Sequence, residues 1–498
     1  MKTQLILILV ISTCFGFAQN FNTYNYNTQN SDMLWDVVEY DSGYLLTGFS
    51  QDSSLSVTYN TYAEPVLIKL SKTGTPIDTL VTSGFGYTEL NLFSVYNGGF
   101  FYTFGVTNPP NDSFRLFVTK YDTLFNLVHR EEYPQLQDMY FRQLHKTKEM
   151  TDSSMYLIGH YMKTASYSES FILNYNFNTM KIDLYKELPI SCIITDALVD
   201  DTSYLCTMAY YNSGPGLSTI VRYDTALNLL SVDTIIAIGF IQNNLMNPYF
   251  TINHYRDSLY ICTGQASIIK STSTLIPPDY SSLVAQTYNS NFDVIDQKYW
   301  YYDSLVNVEP LYNNSFVANG NNEYFIGITL NIDMYYPDKG IMIAKADSNL
   351  NTIWKKHIPC TSATMRAMNI LPTDDGGVLV LYWEQTSLGG AELMNSKLMK
   401  IGSNGEVTSI INLGKSINQS VIKIFPNPTT NEISISLVQT EQQIKKVSII
   451  DLQGKKIIQK QINAKQTKLD VSNLSKGIYI LEGSTNTGKR FSRKFVKE

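Results

Sequence analysis

The chain contains few residue patterns that could carry out chemistry. Its five histidines stand at His129, His145, His160, His254 and His357. No two have the i, i+4 spacing that puts a pair of imidazoles on one helical face, and no His-Glu-x-x-His occurs, so a zinc-protease site is not encoded. A Gly-x-Ser-x-Gly elbow and a Gly-x-x-x-x-Gly-Lys-Ser/Thr phosphate loop are both absent. Asp36 and Asp196 are the carboxylates best placed for acid–base work, because both fall on segments expected to line a central channel; a glycosidase or lyase would need two carboxylates at a set separation. Arg142, Arg366, His145 and His254 share that placement. Asp374-Asp375-Gly376-Gly377 offers hard oxygen ligands of the calcium type but reads first as a hairpin turn. No residue is therefore assigned as catalytic, cofactor-binding or metal-ligating. The remaining signal is aromatic: Tyr59, Tyr62, Tyr335, Tyr336 and Trp383 fall in expected loops, where flat rings with a polar tip would suit sugars or peptides as a ligand face.

Repeated units would position these residues. A strongly apolar strand recurs as Tyr44-Leu45-Leu46-Thr47-Gly48, Phe101-Tyr102-Thr103-Phe104-Gly105 and Tyr156-Leu157-Ile158-Gly159, continuing to Val378-Leu379-Val380-Leu381 at steps of 49 to 63 residues. A second signature keeps the same uneven step, from Val66-Leu67-Ile68-Lys69-Leu70 to Lys397-Leu398-Met399-Lys400-Ile401. Each unit has room for four strands, and one unit cannot cover both faces of its own sheet. Seven units over residues 19–413 therefore predict an all-β, seven-bladed β-propeller. Phe21 to Tyr26 could add an outer strand that latches the ring. The repeat lacks the Gly-His and Trp-Asp pair of the familiar forty-residue family.

After a short linker at 414–420, residues 421–498 read as a separate small β-sandwich of the immunoglobulin-like kind. Ile433, Ile435 and Leu437 alternate with serines, and Pro426-Asn427-Pro428 stops one strand before the next. The order Pro426-Asn427-Pro428, Asp451-Leu452-Gln453-Gly454-Lys455, Leu474-Ser475-Lys476-Gly477-Ile478-Tyr479 and a basic end resembles the C-terminal sorting domain (type A, Por-type) of type IX secretion cargo. On that resemblance Pro426, Asn427, Pro428, Asp451, Gly454, Gly477 and Tyr479 form the sorting motif, and the partner is the type IX secretion machinery. The resemblance also implies removal of the tail on export, with release or attachment to lipopolysaccharide. The body resembles secreted repeat propellers of no assignable enzyme family.

Composition agrees with this division. Tyr 35 and Phe 23 are numerous and charge is low at 16%, a balance that suits strands. The net charge of −6 hides a tail with 14 Lys+Arg against 6 Asp+Glu, a balance of +8, a body at −15 over residues 19–420, and +1 from Lys2. An acidic body argues against nucleic acid as a partner. Lys2, the apolar run Leu5–Val10 and the small residues before Ala18 and Gln19 read as a signal peptide over 1–18, too short to span a bilayer permanently. Cys192, Cys206, Cys262 and Cys360 remain after cleavage, read as buried thiols without metal spacing. The sequence is thus expected to encode a protein that is secreted or held at the cell surface, reached through the periplasm. Its body is expected to bind a glycan or protein ligand without a cofactor, ahead of the glycosidase or lyase alternative.

Overall fold

The computed structural model describes residues 30–498 outside the segments 53–62, 82–87, 109–114, 134–139, 165–166, 189–192, 200–202, 211–216, 236–249, 257–258, 269–279, 301–307, 312–314, 321, 331–338, 361–363, 389–390, 413–421, 438–442, 452–454 and 487–489. The leader, the Ala18–Gln19 pair and Phe21–Tyr26 lie outside the described residues. The chain forms two compact units, Met1–Lys415 and Ser416–Glu498. Every regular element among the described residues is a strand, and no helix is long and apolar enough to cross a membrane.

In the first unit the strands come as successive four-strand antiparallel meanders. The first is Asn30–Tyr40, Gly43–Asp52, Ala63–Ser71 and Pro76–Val81; the last is Thr364–Pro372, Val378–Leu388, Ala391–Ile401 and Val407–Asn412. Five more lie between them among the described residues. The sixth departs from the pattern, its first strand broken into Val308–Pro310 and Phe316–Ala318, both paired with Tyr324–Leu330. A single parallel pair, Asp32 with Asn395, joins the first meander to the last.

The apolar runs in the sequence follow from burial on both faces. Tyr324–Leu330 and Gly340–Ala346 are buried at every position, whereas the fourth strand Thr352–Pro359 is mostly exposed or half-buried. A middle strand covered on both faces has no reason to alternate; an outer one does. Mixed clusters fill the spaces between neighbouring sheets. Tyr40, Leu45 and Leu67 of the first pack on Phe101, Tyr121 and Phe125 of the second, and similar clusters join second to third, third to fourth, and onward to sixth with seventh. A fully buried side chain such as Phe101 contributes about 2–3 kcal/mol, so each sheet draws most of its stability from its neighbours. Meanders covered on both faces by the next in line, with the first meeting the last, make this a β-propeller-like fold.

The turn between third and fourth strands is nearly the same in every meander. One residue takes a left-handed conformation: Gly74, Phe125, Met180, Leu227, Phe292, Leu350 or Gly405, with φ between 56° and 83°. In most copies its N–H bonds to the carbonyl three residues before, as Phe125 to Asp122 (3.0 Å) and Leu350 to Asp347 (2.9 Å). An Asx side chain then holds the loop: the Asp122 carboxylate accepts from the N–H of Leu124 (2.8 Å) and Asn126 (2.9 Å), and Asp347 accepts from Asn349 and Asn351 (both 2.8 Å). Such bonds are why Asp and Asn recur in tight turns.

The second unit has two sheets. Ile422–Phe425, Glu432–Leu437 and Gln466–Asp470 make one; Lys456–Ala464, Ile444–Ile450, Gly477–Thr485 and Arg490–Lys497 make the other. Ile433, Ile435, Val447, Ile449, Leu481 and Phe495 form the buried core of this sandwich.

Candidate functional sites

The Pro426-Asn427-Pro428 segment is tied to a strand distant in sequence. The Asn427 side-chain oxygen accepts a hydrogen bond from the Val496 N–H at 2.8 Å. Just beyond, Thr429 N–H donates to the Val496 carbonyl (2.9 Å) and the Glu498 N–H donates to the Thr429 carbonyl (2.8 Å). The peptide bonds before Pro426 and Pro428 are both cis. The segment thus runs beside Arg490–Lys497 as a short parallel bridge, Thr429 with Lys497. Sequence reasoning missed Thr429, Val496 and Glu498; a partnership spanning 69 residues leaves no local signal.

The other tail motif residues serve turns and core. Asp451 accepts from the Lys455 N–H at 2.9 Å and closes the turn between Ile444–Ile450 and Lys456–Ala464; Gly454 lies outside the described residues. Tyr479 is buried, stacks on Phe495 at 5.7 Å and donates its hydroxyl to the Ser475 carbonyl at 2.9 Å. Gly477 starts that strand at φ 157°. Asn427, Gly477 and Tyr479 converge on Arg490–Lys497: Asn427 accepts from Val496, Gly477 pairs with Lys497 and Tyr479 with Phe495. Asp451 stands apart from this grouping, at its own turn.

In the body, Asp36 and Asp196 occupy first strands but belong to separate sheets, the first and the fourth. Each is buried and oriented by hydrogen-bond donors, at least one of them from the backbone. Asp36 takes the Ser94 N–H at 3.0 Å and the Asn369 carboxamide at 2.7 Å. Asp196 takes the N–H of Ile252 and of Ala197, both at 2.9 Å. Both sit just past an irregularity in their strand, between Leu34 and Asp36 and between Ile194 and Asp196. The bulge turns the carboxylate toward the adjacent sheet. Hydroxyls fill the same role elsewhere: Ser170 accepts from Ile194 (3.0 Å), Thr329 from Ala367 (3.1 Å) and Ser396 from Leu34 (2.8 Å). The two carboxylates singled out for acid–base chemistry act as inter-sheet fasteners.

Asp374–Gly377 is a hairpin turn with an ion pair beneath it. Lys400, fully buried, places its ammonium 2.6 Å from Asp375 and 2.6 Å from the Thr373 hydroxyl. Burial alone would raise the Asp375 carboxyl, but hydrogen bonds from Lys400 and Thr373 outweigh it and hold the group below the usual carboxylate range. Burial likewise pulls the Lys400 ammonium down, against the pull of Asp375. Among the described residues no cluster of three metal-ligating side chains occurs. His254 lies exposed on its first strand, its ring 5.7 Å from that of Tyr260.

Of the aromatic face, Tyr59, Tyr62, Tyr335 and Tyr336 lie outside the described residues. Trp383 does not stand in a loop. It lies inside strand Val378–Leu388, 6% exposed, with its indole N–H on the Met368 sulfur at 3.1 Å. The hairpin continues past the apolar run because its backbone pairing runs on through the polar residues to Leu388 and Ala391.

Residues 423–498 match the model of the secretion system C-terminal sorting domain. No curated protein matches the chain. Among solved structures, a Synechocystis apocarotenoid oxygenase aligns at 10% identity over 78% of this chain and 94% of its own, with TM-score 0.43. The β-propeller domain of the Trilobed protease from Pyrococcus furiosus aligns at 9% identity over 76% of this chain and 98% of its own, also at 0.43. Likeness at this level transfers no chemistry to this chain. Its final 76 residues are a type IX secretion sorting tail, following an all-β, propeller-like body that no specific enzyme family accounts for.

Proposed function

We propose that the body is a seven-bladed propeller, exported by the type IX route and displayed or released outside the cell, where it binds a glycan or protein ligand. The observation that supports this is a contrast between its two ends. Strand direction alternates, so the turns after first and third strands share one end and the loops after second and fourth strands share the other. At the first end the third-to-fourth turns repeat one left-handed geometry from Gly74 to Gly405. At the other, the second-to-third connections range from Leu388–Ala391 and Thr164–Tyr167 to Asp52–Ala63 and Ile268–Tyr280. A uniform scaffold carrying loops of unequal length on one end is how binding surfaces are built on rigid folds. Those longer loops carry Tyr59 and Tyr62, and a further one carries Tyr335 and Tyr336.

The test is to screen the secreted protein on glycan arrays and against cell-surface extracts. Ligand capture that drops at least tenfold in a Tyr335→Ala/Tyr336→Ala double variant supports the reading; absence of any capture, or capture unaffected by the loop changes, removes it. The glycosidase or lyase alternative draws no support from Asp36 and Asp196, which already serve as acceptors for backbone N–H groups in neighbouring sheets.

A further inference from the structure

The first and last meanders meet differently from every other neighbouring pair. Successive sheets elsewhere are joined by the chain itself, as Val81 leads to Thr88 from the first to the second. That tether keeps the two at high effective concentration even when their contacts break. The first and seventh sheets have no such tether, and the described strands of the seventh all come from one contiguous stretch, Thr364–Asn412. Among the described residues, backbone pairing across this seam amounts to the one parallel pair Asp32–Asn395.

Side chains do the joining. Asp36 lies in the first sheet and is fully buried. Its Oδ2 accepts the N–H of Ser94 in the second sheet at 3.0 Å, and its Oδ1 accepts the carboxamide N–H of Asn369 in the seventh at 2.7 Å. One carboxylate therefore holds three consecutive sheets, reaching 58 residues forward on one side and 333 on the other. A second buried bond crosses the same seam, from the Leu34 N–H to the Ser396 hydroxyl at 2.8 Å. At the surface Lys72 of the first meander sits 3.3 Å from Asp374 of the seventh. That pair is exposed, and such pairs contribute little.

We propose that Asp36 is the ring's closing latch, and that the seam between Asn30–Tyr40 and Thr364–Pro372 is where the propeller opens. The chemistry makes the role specific to a carboxylate. Two donors approach it from opposite sides, so both oxygens must accept. An asparagine at this position can satisfy only one, because its amide group turns a donor toward the other. Asp196 is the natural comparison. It too accepts from the next sheet, at Ile252, but across a boundary that the chain also spans.

Hydrogen exchange of the full chain tests the proposal, since local opening is read peptide by peptide. With Asp36→Asn, exchange in Asn30–Tyr40 and Thr364–Pro372 should rise at least tenfold, while Ile193–Val199 changes less than twofold. Asp196→Asn should speed exchange around its own site and leave the seam unchanged. Ser396→Ala, which removes one hydroxyl from the same seam, should give a smaller seam-specific rise of about threefold, and it decides the matter if the Asp36 variant does not fold. Equal acceleration throughout the body, or a seam no faster than in the parent, overturns the proposal.

Discussion

At the scale of single residues, two polar groups show how much a sequence leaves unsaid. Asp375, read from the sequence first as part of a hairpin turn and only second as a calcium ligand, turns its carboxylate to Lys400, a lysine with no exposed side-chain surface. Replacing Asp375 with Asn leaves that ammonium buried without its counter-charge, and the cost should be about 3 kcal/mol in urea unfolding. The pH dependence follows from the depressed carboxyl. In the unfolded chain the group titrates near pH ~3.9, and in the folded chain below that. Its stabilisation is therefore present above about pH 4 and is lost as pH falls through the folded value. Urea midpoints measured across the acid range should fall less steeply in Asp375→Asn than in the parent. In the tail, Tyr479→Phe keeps the ring stacked on Phe495 and removes one bond to Ser475, so a loss of about 1 kcal/mol is expected by thermal unfolding. The lysine partner could not be named from sequence, because it depends on how strands register; the Ser475 carbonyl, only four residues before Tyr479, depends on the shape of the local turn.

At the scale of elements, the third-to-fourth turn carries the clearest prediction. Gly405 has φ 83°, and a methyl group there would stand 2.9 Å from the Trp354 ring. Gly405→Ala should cost about 1–3 kcal/mol, by backbone strain together with the clash. Leu350 holds the same conformation with a buried side chain. Leu350→Gly relieves about 1–2 kcal/mol of left-handed strain but gives up about 2–3 kcal/mol of burial, so a net loss is expected; a gain in melting temperature would show that the strain dominates. Much of this level was legible beforehand. The second and third strands announced themselves as unbroken apolar runs, since neighbours cover both their faces. The turns announced themselves through Asp, Asn and Gly. Strand length was less legible: Trp383 belongs to a ladder that outlasts the apolar run, because backbone pairing does not require apolar side chains. The bulges that aim Asp36 and Asp196 were illegible, since one extra residue shows only as a phase shift in a two-residue alternation, and these strands carry no clean alternation to shift.

At the scale of the whole molecule, two units with opposite charge balance have separate tasks. Removing residues 421–498 should leave the body in the cell fraction, as followed by immunoblot of cells and medium; normal export of the shortened chain would overturn the sorting role of the tail. Asn427→Ala should reduce export less than the deletion does, because Thr429 still pairs with Val496 when the side-chain bond is gone. The repeated turn also bears on how such a body can change its size. Two cuts made at the same step of that turn, for instance after Phe125 and after Leu227, remove whole sheets and leave ends of matching geometry. Cuts at unmatched steps strand half a sheet with an uncovered face. Gene shortening or lengthening is thus quantised: a descendant can differ by one full sheet and still find a partner for every strand, whereas a fractional change leaves backbone donors and acceptors unmet. Libraries that delete or duplicate segments between equivalent left-handed residues should yield soluble protein far more often than libraries with the same lengths cut out of phase.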